Sequence, residues 1–249
     1  MKHFEPRIMM NALRNKIIKA YGGMELWSAV DRITVVANID GINWQKKGHP
    51  GLFNNTQIEI YTKAQFVRYI PIDKNWYSTY EPNLVRIFNR ENNTLIEELY
   101  HPRQSFIGFD RDSKWTLLQA VYFASYAMWN YFNIPFIFMS KDYNIKELDI
   151  WSEDGIHLRR IQVTFPDYIT THNKQQIFYI NENGLIVRHD YNAEIMGKGG
   201  AAHYLNDYTE IDGLMFPMKR RVFKRLDDNT SLKPEPLLIS IDINDLILK

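Results

Sequence analysis

The stretch WTLLQAVYFASYAMWNYFNIPFIFM, residues 115–139, decides how this chain folds. It holds no charged residue, and its length invites reading as a membrane span, which takes about 20 apolar residues. Gln119, Ser125, Asn130, Asn133 and Pro135 argue otherwise, and the asparagine and proline split the run near residue 133. The spacing predicts a helix over about 114–132, then a short apolar strand or turn. Apolar nearly all round, such a helix is buried in protein.

What buries it is strand-like. Ile33, Val35, Ala37 and Ile39 alternate with Arg32, Thr34, Asn38 and Asp40. The runs TQIEIYT, FVRYIPI, NWYSTY, LVRIFNR and TLIEELY follow, separated by turn signals KKGHPG, DKN and RENN. After the helix come YNIKELDIW, IHLRRIQVTF, QIFYI, LIVRHDYNAEI, AHYLNDYTEI, LMFPMKRRVFKR and LLISIDI. NENG at 181–184 and DG at 212–213 read as hairpin turns, where Asn, Asp and Gly accept positive φ. Ile8, Leu13, Ile17 and Ala20 predict a helix over 8–22 that Gly22-Gly23 stops, and 24–30 a second short one.

There is no repeat, low-complexity tract or linker, so residues 1–249 read as one domain. The expected fold class is α+β, mainly antiparallel β. A large antiparallel sheet must curl or close to hide its apolar face. The economical arrangement is a curved sheet, an open half-barrel, wrapped on the central helix, with a ligand pocket between them.

Composition narrows the function. Lys+Arg number 30 against 29 Asp+Glu, a net charge of +1, so no global field draws nucleic acid or an anionic membrane. Cysteine is absent, which removes disulfides, thiolate metal sites and cysteine nucleophiles. The opening MKHFEPRIMMNALRNKIIKAYGG scatters charges and has no apolar signal region, so a cytoplasmic location is expected. The one basic cluster, Met218–Arg225, reads as a solvated strand that resists edge pairing, with Lys219, Arg221 and Phe223 on one face and Arg220, Val222 and Lys224 on the other.

The stretches AYGGMELW (20–27), GHPG (48–51), YAMWNYFNIPF (126–136), VTFPDYITTHNKQQIFYI (163–180), RHDYNAEIMG (188–197) and DGLMFPMKRRV (212–222) resemble a family of bacterial hypothetical proteins of similar length. That resemblance covers most of the chain and carries no activity with it. In element order the chain is similar to the lipoprotein-carrier-like (LolA/LolB-like) half-barrels and to the violacein-pathway enzyme of that fold. The likeness implies a curved sheet over helices and an apolar cavity, while fold alone does not fix function.

The candidate site begins at RHDYNAEIMGKGGAAHYLNDY, residues 188–208. GKGG follows a strand but precedes another strand rather than a helix, and no Ser or Thr follows Lys198, so a phosphate loop is not supported. On the first strand Val187, His189, Tyr191, Ala193 and Ile195 share the more apolar face and point inward. On the second, Ala202, Tyr204, Asn206 and Tyr208 oppose His203, Leu205, Asp207 and Thr209, and the register is open. If His203 and Asp207 face inward they meet His189. Three readings follow for that group: a satisfied polar core, an acid–base or ligand-anchoring site, and a metal site, the last weakened by the lack of H-x-H or H-E-x-x-H spacing. His172 in ITTHNKQQ reads as a solvated loop residue, His49 as a turn or lid residue, and His101 as a junction.

From the helix, Trp115, Leu118, Tyr122, Ser125, Trp129 and Phe132 form a stripe, with Tyr126 and Asn130 beside it. It reads either as core or as a lining in which Trp115, Tyr122, Tyr126, Trp129 and Asn130 contact a flat or long apolar ligand. No nucleophile elbow, dinucleotide fingerprint or kinase motif is present, so no bound cofactor is expected. The leading expectation is binding of a small apolar or aromatic molecule. The alternative is a cofactor-independent enzyme of secondary metabolism using His189, Tyr191, His203 and Asp207. A partner-binding module built on Met218–Arg225 comes third.

Overall fold

A computed structural model describes residues 4–197 and 199–249, with side chains described from Ala12 onward, so Ile8 and Lys198 lie outside the described side chains. Helices α1 (Phe4–Ala20) and α2 (Met24–Ser28) lead into β1 (Arg32–Asp40), α3 (Ile42–Lys47) and β2 (Phe53–Tyr61). Four strands follow: β3 (Val67–Pro71), β4 (Trp76–Glu81), β5 (Leu84–Asn89) and β6 (Leu95–Tyr100). The chain then enters α4 (Leu117–Asn133) and returns through β7 (Asn144–Glu153), β8 (Ile156–Thr164), β9 (Gln175–Ile180) and β10 (Ile186–Tyr191). It closes with β11 (Gly200–Ile211), β12 (Leu214–Arg225) and β13 (Ile239–Leu248). All thirteen strands form one curved antiparallel sheet in the order β6-β5-β4-β3-β2-β1-β13-β12-β11-β10-β9-β8-β7. Two meanders therefore meet at the β1–β13 pair, and α4 bridges the distant edges β6 and β7.

The period-two reading of β1 holds: Ile33, Val35, Ala37 and Ile39 are all buried and the residues between them are not. The run at 115–139 is the predicted internal helix. Thr116 caps it and Gln119 closes a capping box, two orphan donors satisfied at once. Every residue from Leu118 to Asn133 is buried. The helix ends ahead of Pro135, which cannot continue it, and Phe136–Met139 form one 3-10 turn. No helix among the described residues is long and apolar enough to cross a membrane.

The helix packs on the β2–β6 half of the sheet, where rings fill the interface: Tyr80 lies 5.9 Å from Tyr122, and Phe106 5.9 Å from the same ring. Polar and aromatic residues line the inner face of β9–β13. On the outer face of that half Arg188 is fully buried and reaches Asp190 through Nε at 2.8 Å and Nη2 at 2.9 Å, with Glu153 at 3.1 Å and the Asn229 carbonyl at 2.7 Å. Both faces of β10 are thus covered, the outer one by the 226–236 segment.

Three expectations need correction. The segment KKGHPG, read only as a turn, begins inside a helix: its Lys46 and Lys47 are the last residues of α3. The basic strand β12 is central, between β11 and β13, not an edge, and its Arg220 is buried. The first hairpin strand stops at Tyr191, and Glu194–Met196 form a 3-10 turn, so Ala193 and Ile195 do not extend it.

Candidate functional site

The register left open by the sequence is settled by β10, β11, β12 and β13. Across the inner face Tyr191 pairs with Ala201, and Ala201 with Lys224. One step deeper, His189 pairs with His203, His203 with Val222, and Val222 with Ile239. Deeper again, Leu205 pairs with Arg220 and Arg220 with Ile241. The cross-strand rows bring His189, Tyr191 and His203 together: the two imidazole centroids lie 5.8 Å apart, and Tyr191 is 4.8 Å from His189 and 6.1 Å from His203.

Asp207 does not join them. Strict alternation from His203 would point it inward, but its φ of 53° breaks the alternation, and it turns out to a surface ion pair with Lys219 at 2.7 Å. Tyr208 takes the inward place, and its hydroxyl reaches Tyr21 at 2.6 Å. The four-residue acid–base group expected from the sequence is therefore three residues without a carboxylate.

The missing member is His172. Read as a solvated loop residue, it is buried and held by two hydroxyls, Tyr126 at Nδ1 (3.1 Å) and Tyr131 at Nε2 (2.9 Å). Its ring stacks on Tyr191 at 4.0 Å, and Tyr131 continues the chain to the Tyr191 hydroxyl at 2.9 Å. Neutral imidazole has one donor and one acceptor, so one tyrosine donates to His172 and the other accepts. His189 is oriented differently. The Gln176 amide donates to Thr171 Oγ1 and the Asn173 carbonyl, so its Oε1 accepts from His189 Nε2–H at 2.6 Å. The third ring, His203, is fully buried and neither nitrogen has a hydrogen-bond partner among the described residues.

No group in the cluster ionises near neutrality. Burial lowers His172 to about 3, with the Arg103 charge adding to it, and holds His189 and His203 well below the ordinary imidazole value, with Arg220 and the neighbouring imidazoles adding. Burial likewise pushes the hydroxyls of Tyr126, Tyr131 and Tyr191 upward, so they stay protonated. Arg220 donates to the Tyr131 carbonyl at 2.9 Å and lies over the Tyr131 ring at 5.0 Å, and it makes no ion pair among the described residues. Beside Arg220 and His189 lies a cavity of about 10 Å³, room for about one water.

The opening onto this face is a pocket of about 120 Å³. Tyr191, Val222, Ile239, Leu238 and Phe123 form its apolar base, and Ala193, Met196 and the glycines at 197, 199 and 200 its side. The volume is close to the roughly 150 Å³ that takes one benzene. A larger groove of about 530 Å³ at the other end of α4, floored by Trp129 and Tyr143, is open to solvent.

The helix residues expected to line a cavity are placed as follows. Trp115 packs against Phe106, Phe123 and Trp44, and Tyr122 against Tyr80 and Phe106. Tyr126 holds His172; Trp129 borders the open groove, its indole N–H donating to the carbonyls of Tyr61 and Ala64; Asn130 donates to the carbonyls of Tyr126 and Thr170. From α4 it is Phe123, not these five, that reaches the ring-sized pocket. His49 ties α3 to the start of the central run by donating to the Trp115 carbonyl at 2.8 Å, and His101 is exposed at φ 47°.

A curved antiparallel sheet with a buried helix against its inner face defines the LolA-like half-barrel class. A LolA superfamily protein from Nitrosomonas europaea is similar over 94% of this chain and 92% of its own, at TM-score 0.51 and 12% identity. A DUF1329-family protein from Desulfovibrio piger is similar over 96% and 92%, at 0.50 and 12%. A Vibrio parahaemolyticus domain provisionally assigned to outer membrane lipoprotein sorting is similar over 96% and 91%, at 0.53 and 6%. These likenesses establish the fold. No family model and no curated protein matches the sequence.

Proposed function

We propose that the chain binds a small apolar or aromatic molecule in the pocket between α3, the 193–197 segment, the start of β11 and the β12–β13 strands. The observation that carries this reading is the ring-sized pocket of about 120 Å³ with an apolar base of Tyr191, Val222, Leu238 and Ile239. Half-barrels of the LolA superfamily have the same frame, which supports the reading by analogy.

An acid–base enzyme draws on one observation, the facing pair His189 and His203. General acid–base work at neutrality needs a group that ionises near the working pH. Every imidazole and hydroxyl of the cluster is driven away from it, so binding is the better-supported reading. Imidazole NMR separates the two: a His189 or His203 that titrates between about pH 6 and 8 would favour catalysis.

The binding reading is tested by thermal-shift and native mass-spectrometry screens of lipids and aromatic metabolites, run on the wild type and on Ala193→Trp. The introduced indole fills the pocket from its partly exposed side wall. A hit at a hundred times its Kd stabilises the wild type by about 2.7 kcal/mol and leaves the variant unshifted. Hits that shift both proteins equally would remove this pocket as the site.

A further inference from the structure

The rim of the pocket is built from unpaired cations. Lys46 on α3, Arg111 on the 108–116 segment and Lys224 at the end of β12 all line it, and no Asp or Glu does. None of the three makes an ion pair among the described residues, although Lys219, Arg221, Lys233, Arg103 and Arg159 elsewhere each pair with a carboxylate. In a chain with nearly equal numbers of acids and bases, three cations line a pocket that no carboxylate lines, although Asp110 and Asp112 flank Arg111 in sequence, and this biases the pocket toward a positive local field.

The rim is held in place. Lys47, the neighbour of Lys46, is buried and its ammonium donates to the carbonyls of Asp110, Arg111 and Ser113 at 3.2, 2.7 and 3.1 Å. This staple fixes the segment carrying Arg111 against the helix carrying Lys46. Opposite, Gly199 sits at φ 141°, and a Cβ there would lie 3.1 Å from Arg111 Nη2. Glycine lets the guanidinium lie against the turn. At Gly200 a Cβ would meet the Arg225 guanidinium, whose Nε lies 3.8 Å from the Asp190 carboxylate. Gly199 and Gly200 thus each leave room for an arginine beside the pocket, whose lining holds both the cations and the apolar residues.

We infer that the ligand is a small aromatic or short aliphatic acid, with its ring or tail on Tyr191, Val222 and Ile239 and its carboxylate or phosphate between Lys46, Arg111 and Lys224. This rests on the binding reading above and adds the charge of the ligand to it. A neutral ligand would leave the pocket's three lining cations without a partner inside the pocket. A free inorganic anion would leave the apolar base unused.

Calorimetric titration with phenylacetate, phenyl phosphate, phenylethanol and inorganic phosphate tests it, on the wild type and on a variant carrying Lys46→Gln, Arg111→Gln and Lys224→Gln. The three side chains are partly or fully exposed, so the variant's unfolding midpoint should match the wild type. The expected result is that the two ring-bearing anions bind about tenfold more tightly than phenylethanol, about 0.5 kcal/mol per cation. That preference vanishes in the variant and shrinks as ionic strength rises. Phenylethanol binding as tightly as phenylacetate, unchanged in the variant, would overturn the acid and leave the pocket reading standing. Inorganic phosphate matching phenyl phosphate would overturn the aromatic half. Failure of all four probes to bind would sink both readings.

Discussion

Acidification should unfold this protein through three residues. His172 ionises near 3 in the fold and His189 and His203 stay neutral well below their ordinary value, whereas in the unfolded chain all three take up a proton near 6.5. The folded values are depressed, so this stability is fully present above about pH 6.5 and is lost as pH falls. Each neutral imidazole loses about 1.4 kcal/mol per pH unit below that point. At pH 5 each has lost about 2 kcal/mol, and the three together about 6. Small domains hold about 5–15 kcal/mol in total, so most or all of the margin goes before carboxylates begin to protonate. Urea titrations at pH 7.5, 6.5, 5.5 and 5.0 measure this as a slope approaching three protons. His203→Leu should remove one proton from the slope and, because the imidazole nitrogens have no partners, cost little at pH 7.5. A stability that stays flat from pH 7.5 to 5.0, or a slope unchanged in His203→Leu, would refute the reasoning.

Arg188→Ala should destabilise by about 3–5 kcal/mol in urea, because it strands the buried Asp190 carboxylate that Arg188 holds in two hydrogen bonds. Arg220→Met should raise the ionisation points of His189 and His203, whose protonated forms the guanidinium opposes, as followed by imidazole NMR. Gly41→Ala should lower the unfolding midpoint sharply: Gly41 has φ 124°, and a Cβ there would stand 2.4 Å from the Leu238 carbonyl oxygen, where α3 meets the strand leading into the pocket wall. His172→Leu should cost about 1–3 kcal/mol, since it orphans the buried Tyr126 hydroxyl, while Tyr131 keeps its bond to the Tyr191 hydroxyl.

The half-barrel was legible because its signals are local. Alternation in Ile33, Val35, Ala37 and Ile39 needs no partner to be read, and neither does an uncharged run broken by Asn133 and Pro135. The inward facing of His189 and Tyr191 followed from the same alternation. What stayed hidden depends on distant residues or on a single backbone angle. His172 sits among Thr171, Asn173 and Lys174 and looks solvated, while the tyrosines that bury it are on α4. Arg220 disappeared into a basic run, although its sharing a face with Val222 was the available signal for burial. Asp207 failed because one positive φ reversed the alternation that carries His203 inward. The cationic rim brings together α3, the 108–116 segment and β12, and only the sheet closure through β1 and β13 makes them neighbours.

The most direct test of the account is methyl and aromatic NMR of the labelled protein titrated with phenylacetate. The pocket reading predicts shifts at Ala193, Met196, Ala201, Val222, Leu238, Ile239 and Tyr191, saturating together at one Kd. Shifts confined to Ala64, Ile137, Tyr143 and Ile169, which border the open groove at the other end of α4, would contradict it.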